Sequence, residues 1–219
     1  MSTTFSYHPT EIDTLEQSLS LERFNGYVQR ANGDRTMAVR LYERNTRLSE
    51  SLYGVVQGLE VCLRNSIDRV LRSACGPNWY DQPMALKYPL PEKLQSAKDS
   101  VLRQGKLLTP GRVVAELSFG FWTALIGRKY EKRLWVPYLH KAFPNAFFPV
   151  AHPGKKPAAL DRPDIAERLE TIRQLRNRIA HHEPILHYEL ESEHCKIVEA
   201  TSWICPTSNF PERFAVASE

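Results

Sequence analysis

This sequence holds little of what an extracellular, metal-stapled or membrane-spanning fold requires. Its four cysteines, Cys62, Cys75, Cys195 and Cys205, form no CxxC pair, so no disulfide framework or zinc ribbon follows from them. His187, His194, Cys195 and Cys205 match the spacing of no common finger. The ten glycines are scattered, without a glycine-rich phosphate loop, a dinucleotide fingerprint or an internal repeat. No apolar run approaches the roughly twenty residues a bilayer span needs. The nearest, Val113 to Ile126, is interrupted by Glu116 and Ser118. A basic-then-apolar leader is missing at the start, and no stretch alternates apolar and polar residues as a half-buried strand does. The expectation is an all-α cytoplasmic protein with reduced thiols, no structural metal, no cofactor and no membrane partner.

A strong charge of one sign is missing too. The net charge of +4 comes from 29 basic against 25 acidic residues, which permits an RNA partner without demanding one. What is present suits one globular domain: 219 residues, 42% hydrophobic and 25% charged.

In order, residues 1–19 read as an arm in which Ile12, Leu15 and Leu19 suggest a docking helix. Residues 20–205 read as a single helical domain, and 206–219 as a tail. Ser20 suits the cap of a helix carrying Leu21, Phe24 and Val28, and Asp34 the cap of a long one that stops at Cys75-Gly76-Pro77. Its apolar stripe runs Leu52, Val55, Val56, Leu59, Leu63, Ile67 and Val70, and its length predicts a break near Ser49. Two long loops follow, Asn78 to Pro91 and Pro144 to Arg162, the second with its tip at Gly154–Pro157. Between them Thr109-Pro110 opens a helix expected to run through Ile126. Its SFGFW segment offers a stacking platform for bases or, more simply, core. Arg128, Lys129, Lys132, Arg133 and Lys141 then line a helix backed by Leu134, Trp135 and Leu139, a solvated face or a phosphate-contacting one.

The chemistry gathers at Arg176 to Pro184, RNRIAHHEP. Ile165, Leu169, Ile172, Leu175 and Ile179 precede and enter it at helical spacing. Asp161 and Pro163 suit the start of that helix, and Pro184 ends it near the histidines. Arg176 falls close to the middle of the apolar stripe, where a guanidinium is costly unless a carboxylate, a phosphate or a wet cleft meets it. Glu60 or Asn65 is the expected partner; the plainer alternative is a local Glu60–Arg64 pair. The cations and imidazoles of RNRIAHH also suit simple helix-end capping.

Arg176-Asn177-Arg178-Ile179-Ala180-His181 resembles the Arg-polar-X-X-X-His signature of the HEPN superfamily of helical ribonuclease and nucleotide-binding domains. The chain as a whole is similar to the Abi family of bacterial abortive-infection proteins. The similar blocks are Arg23-Phe24 with Tyr27, Leu41-Tyr42 with Asn45, and Leu48-Ser49-Glu50. Leu59-Glu60, Leu63-Arg64-Asn65, Val114 through Trp122 and the RNRIAHHEP run continue them. Arg44 stands where the pattern has an aromatic residue. The resemblance implies a HEPN-like helical bundle with additional helices, and a metal-independent endoribonuclease acting in phage defence or as a toxin. Its catalytic residues would be Arg176, Asn177 and His181. Arg178, His182, Glu60, Arg64, Asn65, Lys129, Lys132 and Arg133 would bind RNA or support the site. The partners implied are an RNA substrate, a small structured RNA or antitoxin, and a second copy of the chain. The alternative is a non-catalytic RNA-binding module that holds a structured small RNA.

Overall fold

The computed structural model describes residues 7–81, 86–147 and 158–205. Among them every regular element is helical, and the single extended pairing is an isolated bridge between Phe147 and Ala159. The all-α class expected from the patterning is therefore observed. The α-helices are α1 (Pro9–Leu19), α2 (Leu21–Arg30), α3 (Arg35–Cys75), α4 (Leu90–Arg103), α5 (Pro110–Glu116), α6 (Phe119–Leu125), α7 (Val136–Ala142), α8 (Arg162–Ala180) and α9 (Leu190–Ser202). No described helix is long and apolar enough to cross a membrane. The chain divides into two compact units, Met1–Ser51 with Arg178–Tyr188, and Leu52–Asn177 with Glu189–Glu219. The Gly154–Pro157 tip and the 206–219 tail lie outside the described residues.

The first unit is built on Ile12, Phe24, Tyr27, Ala38 and Val39, with Leu15, Leu19, Val28, Tyr42 and Leu186 packed against them. Local chemistry starts each helix. The Ser20 hydroxyl accepts from the Arg23 amide at 3.5 Å, and the Asp34 carboxylate from the Met37 amide at 2.9 Å. Arg35 bridges to Asp13 at 2.7 Å and also meets Glu16, tying the first turn of α3 to α1. Asn45 is buried, and its Oδ1 accepts from the Ile185 amide at 2.7 Å.

The break expected near Ser49 does not occur; α3 runs unbroken for 41 residues. The reason is that two units share it. Ala38 and Val39 bury in the first, and Leu52, Val55, Val56, Leu59, Leu63, Ile67, Val70 and Leu71 in the second, so each half of the helix has its own core to support it.

In the second unit the α3 stripe is joined by buried Leu94, Val101, Trp79, Phe121, Trp122, Leu134, Trp135, Ile165, Leu169 and Ile172. Trp79, Phe121 and Trp122 form an aromatic cluster, with Phe121 and Trp122 edge-on at 5.0 Å between centroids. The helix expected from Pro110 through Ile126 is instead two, α5 and α6. Leu117 and Ser118 turn extended, with ψ of 130° and 159°. The extended step lets Phe119, Phe121, Trp122 and Leu125 all bury, wider coverage than one amphipathic stripe provides. The basic segment after it is also irregular. A 3-10 turn (Arg128–Tyr130) and a π-helical turn (Glu131–Trp135) precede α7. Buried Trp135 anchors this segment by donating to the Leu125 carbonyl at 2.7 Å.

Candidate functional site

The helix that carries the RNRIAHH run begins with a reciprocal cap. The Asp164 amide donates to Asp161 Oδ1 at 3.0 Å, and the Asp161 amide to Asp164 Oδ2 at 3.1 Å. Ile165, Leu169, Ile172, Leu175 and Ile179 are all buried, as their spacing predicts. Arg176 sits beside this stripe, half-buried, and its charge is met. Its Nε donates to Glu60 Oε1 at 2.6 Å, with side-chain exposures of 32% and 25%. Of the two partners considered, the carboxylate is the one found; Asn65 is exposed. A local Glu60–Arg64 pair is not formed.

Glu60 and Arg176 line a cavity of about 370 Å³ within the second unit. Arg64, Tyr53, Gln57, Ser118 and Trp122 share its walls. Two N–H donors among these residues are closed off from solvent with no acceptor: Arg64 Nε and Trp122 Nε1. Lys129, Lys132 and Arg133 lie at exposed positions of the irregular segment and do not line this cavity. Lys129 donates to the Tyr88 carbonyl at 3.4 Å.

Past Asn177 the run belongs to the first unit. Helix α8 ends at Ala180, and His182 adopts φ 55°. The His182 amide donates to the Ile179 carbonyl at 3.1 Å and the Glu183 amide to the Arg178 carbonyl at 2.8 Å. This paired pattern is a Schellman closure, with His182 where glycine is favoured. His182 is therefore not helical. Arg178 Nε donates to the Pro184 carbonyl at 3.2 Å, and its guanidinium lies 3.5 Å from Glu183. His181 and His182 are exposed. Nearby His187 has its pKa lowered by desolvation, then by the Arg178 and Arg30 charges.

Among the described residues no three His, Cys, Asp or Glu side chains gather as metal ligands would.

No family model matches the chain, no curated protein matches its sequence, and no solved structure matches its fold.

Sequence reasoning underrated two groups of residues. The SFGFW segment reads as core, and Trp122 is 1% exposed, yet the same segment also walls the cavity through Ser118, Phe119 and Trp122. Asn45 enters only through the resemblance, although a polar residue in the interior of α3 is itself a signal. Such a side chain has to find a buried partner, and this one closes on the backbone after Pro184.

Proposed function

We propose that this chain is a HEPN-type, metal-independent endoribonuclease of the Abi-like kind, acting in phage defence or as a toxin. The observation that carries the reading is the Arg176–Glu60 pair. It holds a guanidinium, at the head of an Arg-Asn-X-X-X-His run, in the wall of a polar cavity. A structural arginine serves a core poorly; one retained beside an open cavity suits an anionic substrate. In the proposed reaction the RNA 2′-hydroxyl loses its proton and attacks the adjacent phosphorus. The bond from phosphorus to the 5′-oxygen breaks, and that oxygen takes up a proton. His181, exposed at the helix end, is the group suited to exchanging protons near neutral pH. Arg176 offers a planar fork to the non-bridging oxygens as charge builds on them. Asn177, the next residue in the chain, is assigned to orienting the phosphate or the imidazole.

The second reading is a non-catalytic module that holds a structured small RNA. The Schellman closure favours it to this extent: His181 and His182 occupy positions that a capping role alone explains. End-group analysis separates the two. Labelled RNA incubated with the purified protein, with and without EDTA, is expected to give 2′,3′-cyclic phosphate and 5′-hydroxyl ends in both cases. DNA of the same sequence, lacking the 2′-hydroxyl, stays intact. Recovery of 3′-hydroxyl ends, or a requirement for magnesium, contradicts the cleavage reading. Tight binding with intact RNA selects the non-catalytic module.

A further inference from the structure

The cavity in the second unit holds more hydrogen-bond donors than the protein uses. Arg176 spends its Nε on Glu60, and no other bond of its guanidinium is made within the described residues. Arg64 makes no hydrogen bond or ion pair at all there, and its Nε is sealed from solvent. Trp122 is 1% exposed, and its indole N–H has no acceptor. The Ser118 hydroxyl, at the start of α6, makes no capping bond. Each sealed, unpartnered donor is a standing cost in a folded protein. Glu60 neutralises Arg176. Glu116, also in the wall, is exposed and takes a hydrogen bond from Ser100 at 2.5 Å. The two guanidiniums and two carboxylates of the lining balance in formal charge, and the charged group among them that makes no hydrogen bond or ion pair within the described residues is the Arg64 guanidinium.

We infer that this cavity binds the phosphate group of a nucleotide, with Arg64 as the principal binding residue and Arg176 and Trp122 as the other donors. The unpartnered groups of the lining, the Arg64 guanidinium and the Trp122 indole N–H, are both donors, which suits an oxyanion. Two guanidiniums suit phosphate best, because each presents parallel N–H groups to neighbouring oxygens. A volume of about 370 Å³ has room for one nucleotide unit rather than a length of duplex. No partner fixes Arg64, so an incoming phosphate can draw its guanidinium over without breaking an existing bond. The inference rests on the RNA-cleavage reading only for the identity of the natural ligand. The binding itself follows from the donors.

Isothermal titration on the full chain tests it, with three probes: uridine 5′-monophosphate, uridine, and a short single-stranded oligouridylate titrated into the His181→Ala background so that it stays intact. Uridine monophosphate or the oligonucleotide is expected to bind, and uridine, lacking the phosphate, is not. Arg64→Gln should weaken binding by about tenfold or more, the worth of a charge-assisted hydrogen bond. Arg64→Lys, which keeps the charge without the fork, should recover only part. Trp122→Phe should weaken it less. In labelled protein, the indole N–H resonance that Trp122→Phe removes should move on ligand addition. Without ligand, Arg64→Gln should melt no lower than the parent, since it relieves an unpartnered donor; this separates lost binding from lost folding. Equal binding of the mononucleotide and the oligonucleotide identifies free nucleotide as a sufficient ligand, and binding of the oligonucleotide alone identifies RNA. Either supports the phosphate site. Unchanged affinity in folded Arg64→Gln, or uridine binding as well as its monophosphate, overturns it. If His181→Ala still cleaves RNA, the cleavage reading falls while this site stands. If Arg64→Gln binds normally while cleavage depends on His181, the reverse holds.

Discussion

At the level of single residues, Glu60 and His182 carry the clearest consequences. Glu60→Ala leaves Arg176 without its counter-charge at a half-buried position. It is expected to destabilise the protein by roughly 1–2 kcal/mol, between the small value of an exposed pair and the larger cost of breaking a buried one. Urea unfolding measures this. An unchanged midpoint would mean that the pair is solvent-screened and contributes little. His182 works in the opposite sense. It holds φ 55° at a helix closure where glycine has no steric cost. His182→Gly should therefore stabilise by roughly 1 kcal/mol, the order of the left-handed penalty for an L-residue. A lower melting temperature would show that the imidazole makes a compensating contact. His187 adds a pH effect with a definite sign. Its folded pKa is depressed, by desolvation first and then by the Arg178 and Arg30 charges. The folded state thus disfavours its protonated form. The stability this contributes is present above the unfolded value near 6.5 and is lost as pH falls through the folded one. His187→Gln should flatten that slope below the unfolded value near 6.5. A slope unchanged by the substitution would remove His187 as its source.

At the level of elements, Asn45 is the hydrogen-bond link between α3 and the segment after Pro184. Its 2.7 Å bond to the Ile185 amide is buried at both ends. Asn45→Ala is expected to cost about 2 kcal/mol, since it leaves a buried N–H unpaired. Amide exchange of Ile185 should accelerate with it; protection as strong as in the parent would contradict the assignment. Which elements were legible follows from the same physics. Helix α8 was, because its apolar stripe, its Asp161 cap and its Pro184 stop all agree, and agreement between levels is what a sequence can display. The partner of Arg176 was legible as a need and narrowed to Glu60 or Asn65. The unbroken α3 was not, because its length is set by two separate cores, and nothing local at Ser49 announces that. Nor was the step between α5 and α6. Val113, Val114, Leu117 and Phe121 continue a perfect helical stripe through Leu117, and only the burial of Phe119 beside Phe121 and Trp122 shows why the chain leaves it. The Schellman closure at His182 was hidden because the residue there is not glycine.

At the level of the whole molecule, Arg176 and His181 are five residues apart in the chain. On an ideal helix that is roughly 140° of rotation, too far for easy convergence, so the pair meets either through a departure from the helix before Pro184, and α8 does end at Ala180, or across two chains. The proposal that follows is a two-fold homodimer in which Arg176 of one chain meets His181 of its partner across a shared cleft. Mixing inactive Arg176→Ala with inactive His181→Ala protein should then restore part of the activity, because a mixed dimer regains one native pair. A monomer in sedimentation that is fully active would contradict the dimer, and a dimer without rescue would contradict the crossed pairing. The central claim, that this chain cuts RNA with His181 as its proton-transfer group, has a more direct test. Cleavage of a labelled single-stranded RNA is compared between the parent and His181→Ala, with circular dichroism of both to establish equal helical content. Loss of a hundredfold or more in rate with the fold intact is the predicted result, in line with the usual worth of a positioned acid or base. A folded His181→Ala protein that cuts as fast as the parent would contradict it.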